Sequence, residues 1–224
     1  LRRDGLFFPV EPSTASRCTI GGMTGNNSCG ARSIRYGRMA ENVTAIDALM
    51  ADGAALRFEI GTNADIARDM VALAEREREE IVARYPKVQR RVGGYNLDSL
   101  IAPKPNLAHL LVGSEGTLGI ITELTIKLHP LPEAVSAATC AFPDVVAAVN
   151  TVIQTIQLGI PIARIELVDA LTVQAINRYS KTTLREVPML FFEFHGSEAG
   201  VEEQARTVQD IAREHGGQIG RAHV

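Results

Sequence analysis

The chain has 224 residues, of which 46% are hydrophobic and 22% charged, with a formal net charge of −3. These values exclude a disordered chain and leave no basic footprint for nucleic acid or an anionic membrane surface. No apolar run approaches the roughly 18 residues needed to span a bilayer, no leader pattern opens the chain, and the lack of Trp argues against a stacking platform for bases or sugars.

Leu1-Arg2-Arg3-Asp4-Gly5 reads as the tail of a helix ending at a glycine, so something is expected to precede it. Residues 5–42 are rich in Gly, Ser, Thr and Asn and exclude a long helix or regular strand. Phe7, Phe8, Ile20, Met23, Ile34 and Tyr36 are interspersed there and ask for burial, so the stretch reads as a functional loop rather than a linker. Val43–Met50 and Ala54–Ile60 flank Asp52-Gly53, which predicts a hairpin with a type I′ turn. Thr62-Asn63-Ala64-Asp65 predicts a capping box and a helix to about Tyr85, with Ile66, Met70, Leu73, Ile81 and Val82 facing the core. Its Glu75–Glu80 charge run reads as a solvated face. A strand is expected over Leu118–Leu128, and Pro130-Leu131-Pro132 marks a domain boundary. Beyond it come a strand Ala137–Phe142, a helix Val145–Leu158 capped by Asp144, a strand Ala163–Val168, a helix Ala170–Tyr179, a strand Pro188–Phe194 and a helix from Glu198 to about His215 capped by Ser197. That alternation predicts a small ferredoxin-like α+β unit. Gly216-Gly217-Gln218-Ile219 reads as a strand barely begun, so both ends look cut.

Cys18, Cys29 and Cys140 form no CxxC and are odd in number, which fits free thiols in a reducing compartment. No two histidines sit at i, i+4, so no metal site is expected within the chain. The stretch Thr19–Gly30 has closely spaced glycines with Thr19, Asn26, Asn27 and Ser28 between them. Such a backbone can approach a large polar ligand, a nucleotide or a flavin, and point N–H groups at it. It is neither a Walker A loop nor the Rossmann fingerprint. No Gly-x-Ser-x-Gly elbow supports a hydrolase.

Phe8-Pro9-Val10-Glu11-Pro12-Ser13, the Thr19–Gly30 loop, Arg35-Tyr36-Gly37, and Gly113-Ser114-Glu115-Gly116-Thr117-Leu118-Gly119-Ile120-Ile121-Thr122-Glu123 stand in that order. Together they resemble the FAD-linked oxidases of the vanillyl-alcohol oxidase/PCMH type, in the branch of D-lactate dehydrogenase, glycolate oxidase and D-2-hydroxyglutarate dehydrogenase. Arg90–Asp98 resembles the subgroup fused to an iron–sulfur module. The resemblance implies an α+β fold: residues 1–132 as the second subdomain of a PCMH-type FAD-binding domain, and residues 133–224 as the first part of a ferredoxin-like cap. A first flavin subdomain is then expected before Leu1. The metal-binding histidines and the substrate arginine are expected after the chain's end, so no catalytic or metal residue is assigned here.

The same resemblance implies cofactor contacts. Pro12 and Ser13 would line the flavin. Thr19, Ile20, Gly21, Gly22, Gly25, Asn26, Ser28 and Gly30 would contact its isoalloxazine edge and ribityl-phosphate region, with Tyr36 and Gly37 following. Glu115, Gly116, Gly119, Ile120 and Ile121 would form a second strip near the adenosine half. Glu11 stands where many relatives carry Asp, which unsettles one polar contact, and Cys29 where small residues are common. The implied cofactor is non-covalent FAD, and the implied activity is hydride transfer from a small D-2-hydroxy acid. The acceptor is left open, with a quinone, a cytochrome or an iron–sulfur module as the candidates, and nucleic acid is not expected as a partner. The expected compartment is the cytoplasm, with the periphery of the inner membrane open to the parent protein. A non-catalytic flavin- or nucleotide-binding or interaction module of α+β fold is the alternative. Arg90, Arg91, Arg164, Glu166 and His195 are weaker candidates, for which exposed charge or a strand-face salt bridge is the expected role.

Overall fold

The computed structural model describes residues 1–220. The chain divides into two compact units, Leu1–Pro130 and Leu131–Val224.

The first unit opens with a 3-10 turn, Arg2–Asp4, closed by Gly5 in the left-handed conformation at φ 71°. In chain order its elements are β1 (Leu6–Phe7), α1 (Ile20–Gly25), α2 (Ser33–Tyr36), α3 (Met39–Asn42), β2 (Val43–Met50), β3 (Ala55–Phe58), α4 (Asp65–Arg76), α5 (Arg78–Arg84), β4 (Gly119–Ile126) and β5 (His129–Pro130). β2 is central in an antiparallel sheet of order β3-β2-β4. β1 pairs with β5, tying the start of the unit to its end. The core gathers Met39, Val43, Ile46, Phe58, Leu100, Leu107, Leu111 and Val112. The glycine-rich stretch is therefore three short helical turns laid on a sheet, with Met23 and Met39 as its buried anchors.

Three local expectations are corrected. The β2–β3 loop keeps only Gly53 at positive φ, and the Gly53 N–H reaches Met50 O at 3.0 Å. It is a three-residue loop with a left-handed glycine rather than a type I′ turn. Thr62 does not cap α4; its hydroxyl accepts from the Glu59 N–H at 2.8 Å, and Ala64 occupies the N-cap with no side-chain bond. The helix breaks at Glu77; its core face is Ala67, Ala74 and Ile81 with Met70 packed against them as expected, whereas Ile66 and Val82 are exposed.

The second unit runs β6 (Ala134–Ala141), α6 (Val145–Gln157), β7 (Arg164–Val168), α7 (Ala170–Ser180), β8 (Met189–Gly196), α8 (Glu198–Glu214) and β9 (Gln218–Ile219). Its sheet order is β7-β8-β6-β9, with every neighbouring pair antiparallel. β6 crosses through α6 to β7 and leaves a slot that β8 fills, which is the ferredoxin-like arrangement with α7 added. Side chains start all three helices: Asp144, Asp169 and Ser197 accept from the N–H groups of Ala147, Thr172 and Gly200 at 2.8, 2.7 and 3.2 Å. Phe192 and Phe194 meet Val208 and Ala212 of α8 on one face, while Met189 packs with Val173 of α7 on the other.

Candidate functional site

Thr19 is extended and caps α1; its Oγ1 accepts from the Gly22 N–H at 3.1 Å. The N–H groups of Ile20 and Gly21 lie in the first turn, where no intrahelical acceptor exists, and both residues are exposed. A Cβ at Gly21 or Gly25 would meet nothing within 4 Å, so this edge is an open shelf. Met23 and Thr24 turn inward. Asn27 follows in the left-handed region at φ 51°, fully buried. Its Oδ1 accepts from the Ala40 N–H at 3.0 Å, and among the described residues its Nδ2 has no partner. The Ser28 N–H donates to Met23 O at 2.8 Å, and the Ser28 hydroxyl to Asn26 Oδ1 at 2.6 Å. At Gly30 a Cβ would strike the Glu11 carbonyl group, 2.6 Å from its carbon and 3.2 Å from Pro12 N. Only glycine permits that approach, and it brings Pro12 and Ser13 beside the end of the loop.

The second strip meets the first through the backbone. The Gly113 N–H donates to Thr24 O and the Glu115 N–H to Gly25 O, each at 2.9 Å. Ser114–Thr117 is a turn with φ 52° at Glu115 and 75° at Gly116, closed by the Thr117 N–H on Ser114 O at 3.0 Å. Positive φ at both central positions makes it type I′. Gly113, at φ 81°, sits where three segments cross: a Cβ there would lie 3.2 Å from Gly94 O and 3.3 Å from Asn27 Cβ. β4 then leaves the site. Ile121 turns to the core, Ile120 is 66% exposed, and Gly119 passes Leu49 O closely. The loop and the strip thus form one continuous surface with an exposed outer edge: Gly21, Gly22, Asn26, Glu115 and Gly116.

Tyr36 and Gly37 belong to a neighbouring cluster. The Tyr36 ring stands edge-on to Phe7 at 5.5 Å and to His129 at 5.2 Å. Asn42 donates to Tyr36 O and Arg38 O at 2.8 Å and meets His129 Nε2 at 3.0 Å. Arg90 reaches Gly30 O at 3.1 Å. Arg91 pairs with Asp98 at 2.5 Å and lies over the Tyr85 ring at 4.7 Å, so it is spent on structure. In the second unit Arg164 pairs with its cross-strand neighbour Glu193 at 3.3 Å, and His195 meets the same carboxylate at 2.7 Å. Burial pushes the Cys140 thiol up to about 11, which keeps it protonated near neutrality, and burial lowers His109 below its ordinary 6.5. Among the described residues no cluster of three His, Cys, Asp or Glu could hold a metal, and no helix is long and apolar enough to cross a membrane. A groove of about 810 Å³ lies elsewhere in the first unit, lined by Ile60, Val71, Pro103 and Leu107 with Arg68 and Lys104 also on its wall.

Thr24, Asn27, Gly113, Tyr95 and Thr117 are not among the cofactor contacts the resemblance implies, although Asn27 stands with the loop's polar side chains in the sequence. The legible signal was Asn27, since asparagine tolerates the left-handed conformation best after glycine.

Residues 1–59 match the model of an FAD binding domain, and residues 131–223 that of the C-terminal domain of FAD linked oxidases. The chain is 37% identical to a probable mitochondrial D-lactate dehydrogenase of Danio rerio, covering 97% of this chain and 37% of that protein. It is 30% identical to glycolate oxidase subunit GlcD of Bacillus subtilis, covering 93% and 37%. It therefore spans little more than a third of the length of these relatives. An alkyldihydroxyacetonephosphate synthase structure superposes with a TM-score of 0.67 at 19% identity, over 100% of this chain and 37% of that one, which speaks for the fold. Two signatures in order, relatives along nearly the whole chain and a shared α+β architecture agree: the chain belongs to the FAD-linked oxidases of the vanillyl-alcohol oxidase/PCMH type, whose cofactor is FAD.

Proposed function

We propose that the protein carrying this chain oxidises a small D-2-hydroxy acid of the lactate, glycolate or 2-hydroxyglutarate type by hydride transfer to FAD. In this reading residues 1–132 are the second subdomain of the flavin domain and residues 133–224 the first part of the substrate cap. The observation that carries it is the backbone junction of Thr24-Gly25 with Gly113–Glu115, which joins the exposed Ile20–Gly22 edge to the exposed Glu115-Gly116 turn in one surface. The residues fit a flavin dinucleotide: the shelf at Gly21 and Gly25 is empty where a Cβ would stand, and the donors around it are neutral amides and hydroxyls.

When bound, FAD supplies the electron-pair acceptor for the substrate's C–H bond. The chain's own residues bind and orient it. The N–H groups of Ile20 and Gly21 would face its polar edge, with Thr19 holding the turn that aims them. Donors near the isoalloxazine carbonyl favour the anionic reduced ring. Pro12, Ser13, Gly22, Asn26, Ser28 and Gly30 would complete the first edge. Glu115 and Gly116 would flank the adenosine half, Gly119, Ile120 and Ile121 would support them from β4 as it turns to the core, and Tyr36-Gly37 would back the loop. A quinone, a cytochrome or an iron–sulfur module would take the electrons, in the cytoplasm or at the inner-membrane periphery; relatives named mitochondrial make an organelle a further setting.

The test is anaerobic reduction of the full-length flavoprotein. Its visible flavin absorption should bleach with D-lactate, D-2-hydroxyglutarate or glycolate and persist with L-lactate. Gly21→Leu, which fills the open shelf, should weaken FAD binding at least about tenfold with the melting temperature of the apoprotein unchanged. A full-length protein without FAD affinity, or a Gly21→Leu variant binding FAD as the wild type does, would overturn the reading.

A further inference from the structure

The Arg90–Asp98 segment has no task in the flavin reading so far, yet it is firmly built. Arg91 closes it on Asp98 at 2.5 Å. Arg38 donates to Arg91 O, and Tyr85 Oη donates to Tyr95 O at 2.8 Å. From this frame two side chains reach the strip on either side of Gly113. Asn96 Nδ2 donates to Val112 O at 2.7 Å, before it. Tyr95 Oη lies 2.7 Å from Thr117 Oγ1, after it. Thr117 Oγ1 donates its only proton to Ser114 O at 2.6 Å, so Tyr95 is the donor of the pair. The result is a chain, Tyr95 O–H to Thr117 O–H to Ser114 carbonyl, which closes the side of the type I′ turn. That turn holds Glu115 left-handed at φ 52°, a conformation an L-residue leaves when nothing opposes it.

We propose that Tyr95 is a positioning residue for the flavin. Through Thr117 it fixes the Ser114–Thr117 turn, so that the Glu115 N–H stays on Gly25 O and the exposed Gly116 edge stays level with the Thr19–Gly22 shelf. The inference rests on the flavin reading above and adds to it a part that neither the glycine loop nor the strip contains. Tyr95 is exposed and outside the core, so removing its hydroxyl changes one hydrogen bond and little packing.

The experiment is FAD titration of the full-length apoprotein. Tyr95→Phe and Thr117→Val should each weaken FAD about five- to tenfold, the size of one hydrogen bond's net contribution. The double variant should be no weaker than either single, because the two act as one chain. Thr117→Ser, which keeps the hydroxyl, should bind as the wild type does. Apoprotein melting temperatures should be unchanged, and amide exchange over residues 115–118 should quicken in Tyr95→Phe. Unchanged affinity in Tyr95→Phe, additive losses in the double variant, or a parallel fall in apoprotein melting temperature would overturn the role of Tyr95. A wild-type protein that fails to bind FAD would overturn the flavin reading instead.

Discussion

The two units solve the problem of holding a chain in place by opposite means. In the second, each helix starts on its own cap, Asp144, Asp169 or Ser197, and β8 pairs regularly with β6 on one side and β7 on the other. Its stability is distributed over many local, replaceable pieces. In the first, the functional surface has little regular structure. It depends on single contacts between residues far apart in sequence: Gly30 under the Glu11 carbonyl, Thr24 on Gly113, Tyr95 on Thr117. Left-handed Asn27 and Glu115 fall within these two segments. Strained backbone of this kind persists where the surroundings over-determine it, and it is a mark of functional sites. The difference teaches that a scaffold tolerates averaging whereas a cradle for a ligand does not.

The contrast breaks most sharply at the glycines. Gly30→Ala drives a methyl into backbone that cannot yield as a side-chain tip would, and should cost about 3 kcal/mol or abolish folding of the first unit, measured by urea denaturation. Gly21→Ala, in open space on the same loop, should leave that midpoint unchanged or raise it slightly. Equal effects from the two would refute the close approach.

A smaller effect is expected in the second unit. Asp144→Ala and Ser197→Ala should each cost about 1 kcal/mol, and their double variant about the sum, because the caps are separate. Strong non-additivity would show that unit to be as interlocked as the first.

The smallest effect sharpens the electrostatics of the first unit. Burial lowers His109 below 6.5, so over the interval between the lowered and the ordinary value the unfolded chain binds more protons than the folded one. This contribution is then complete above 6.5 and is lost as pH falls from there through the lowered value of the folded protein. His129, also lowered by desolvation, acts with the same sign. The melting temperature of the wild type should therefore fall more steeply from about pH 7 to about pH 5 than that of His109→Gln; parallel slopes would remove His109 from the account.

Much of this was written in the sequence, and the limits are instructive. Asp144, Asp169 and Ser197 announce their helices because a cap acts on N–H groups only two or three residues away. The alternation of strand and helix after Pro132 fixed the ferredoxin-like class for the same reason, and ordered motifs placed the flavin family. Thr62 misled because its hydroxyl had two local uses, and Glu59 took it. The core face of α4 includes the small Ala67 and Ala74, which a search for large apolar side chains passes over. The sequence by itself thus determined most elements and their class, set by interactions within a few residues, while the ordered motifs carried the resemblance that implies the flavin. Only the tertiary structure decided that residues near 24, 95 and 115 share one surface, because bonds spanning so many residues exist only once the chain has closed on its core.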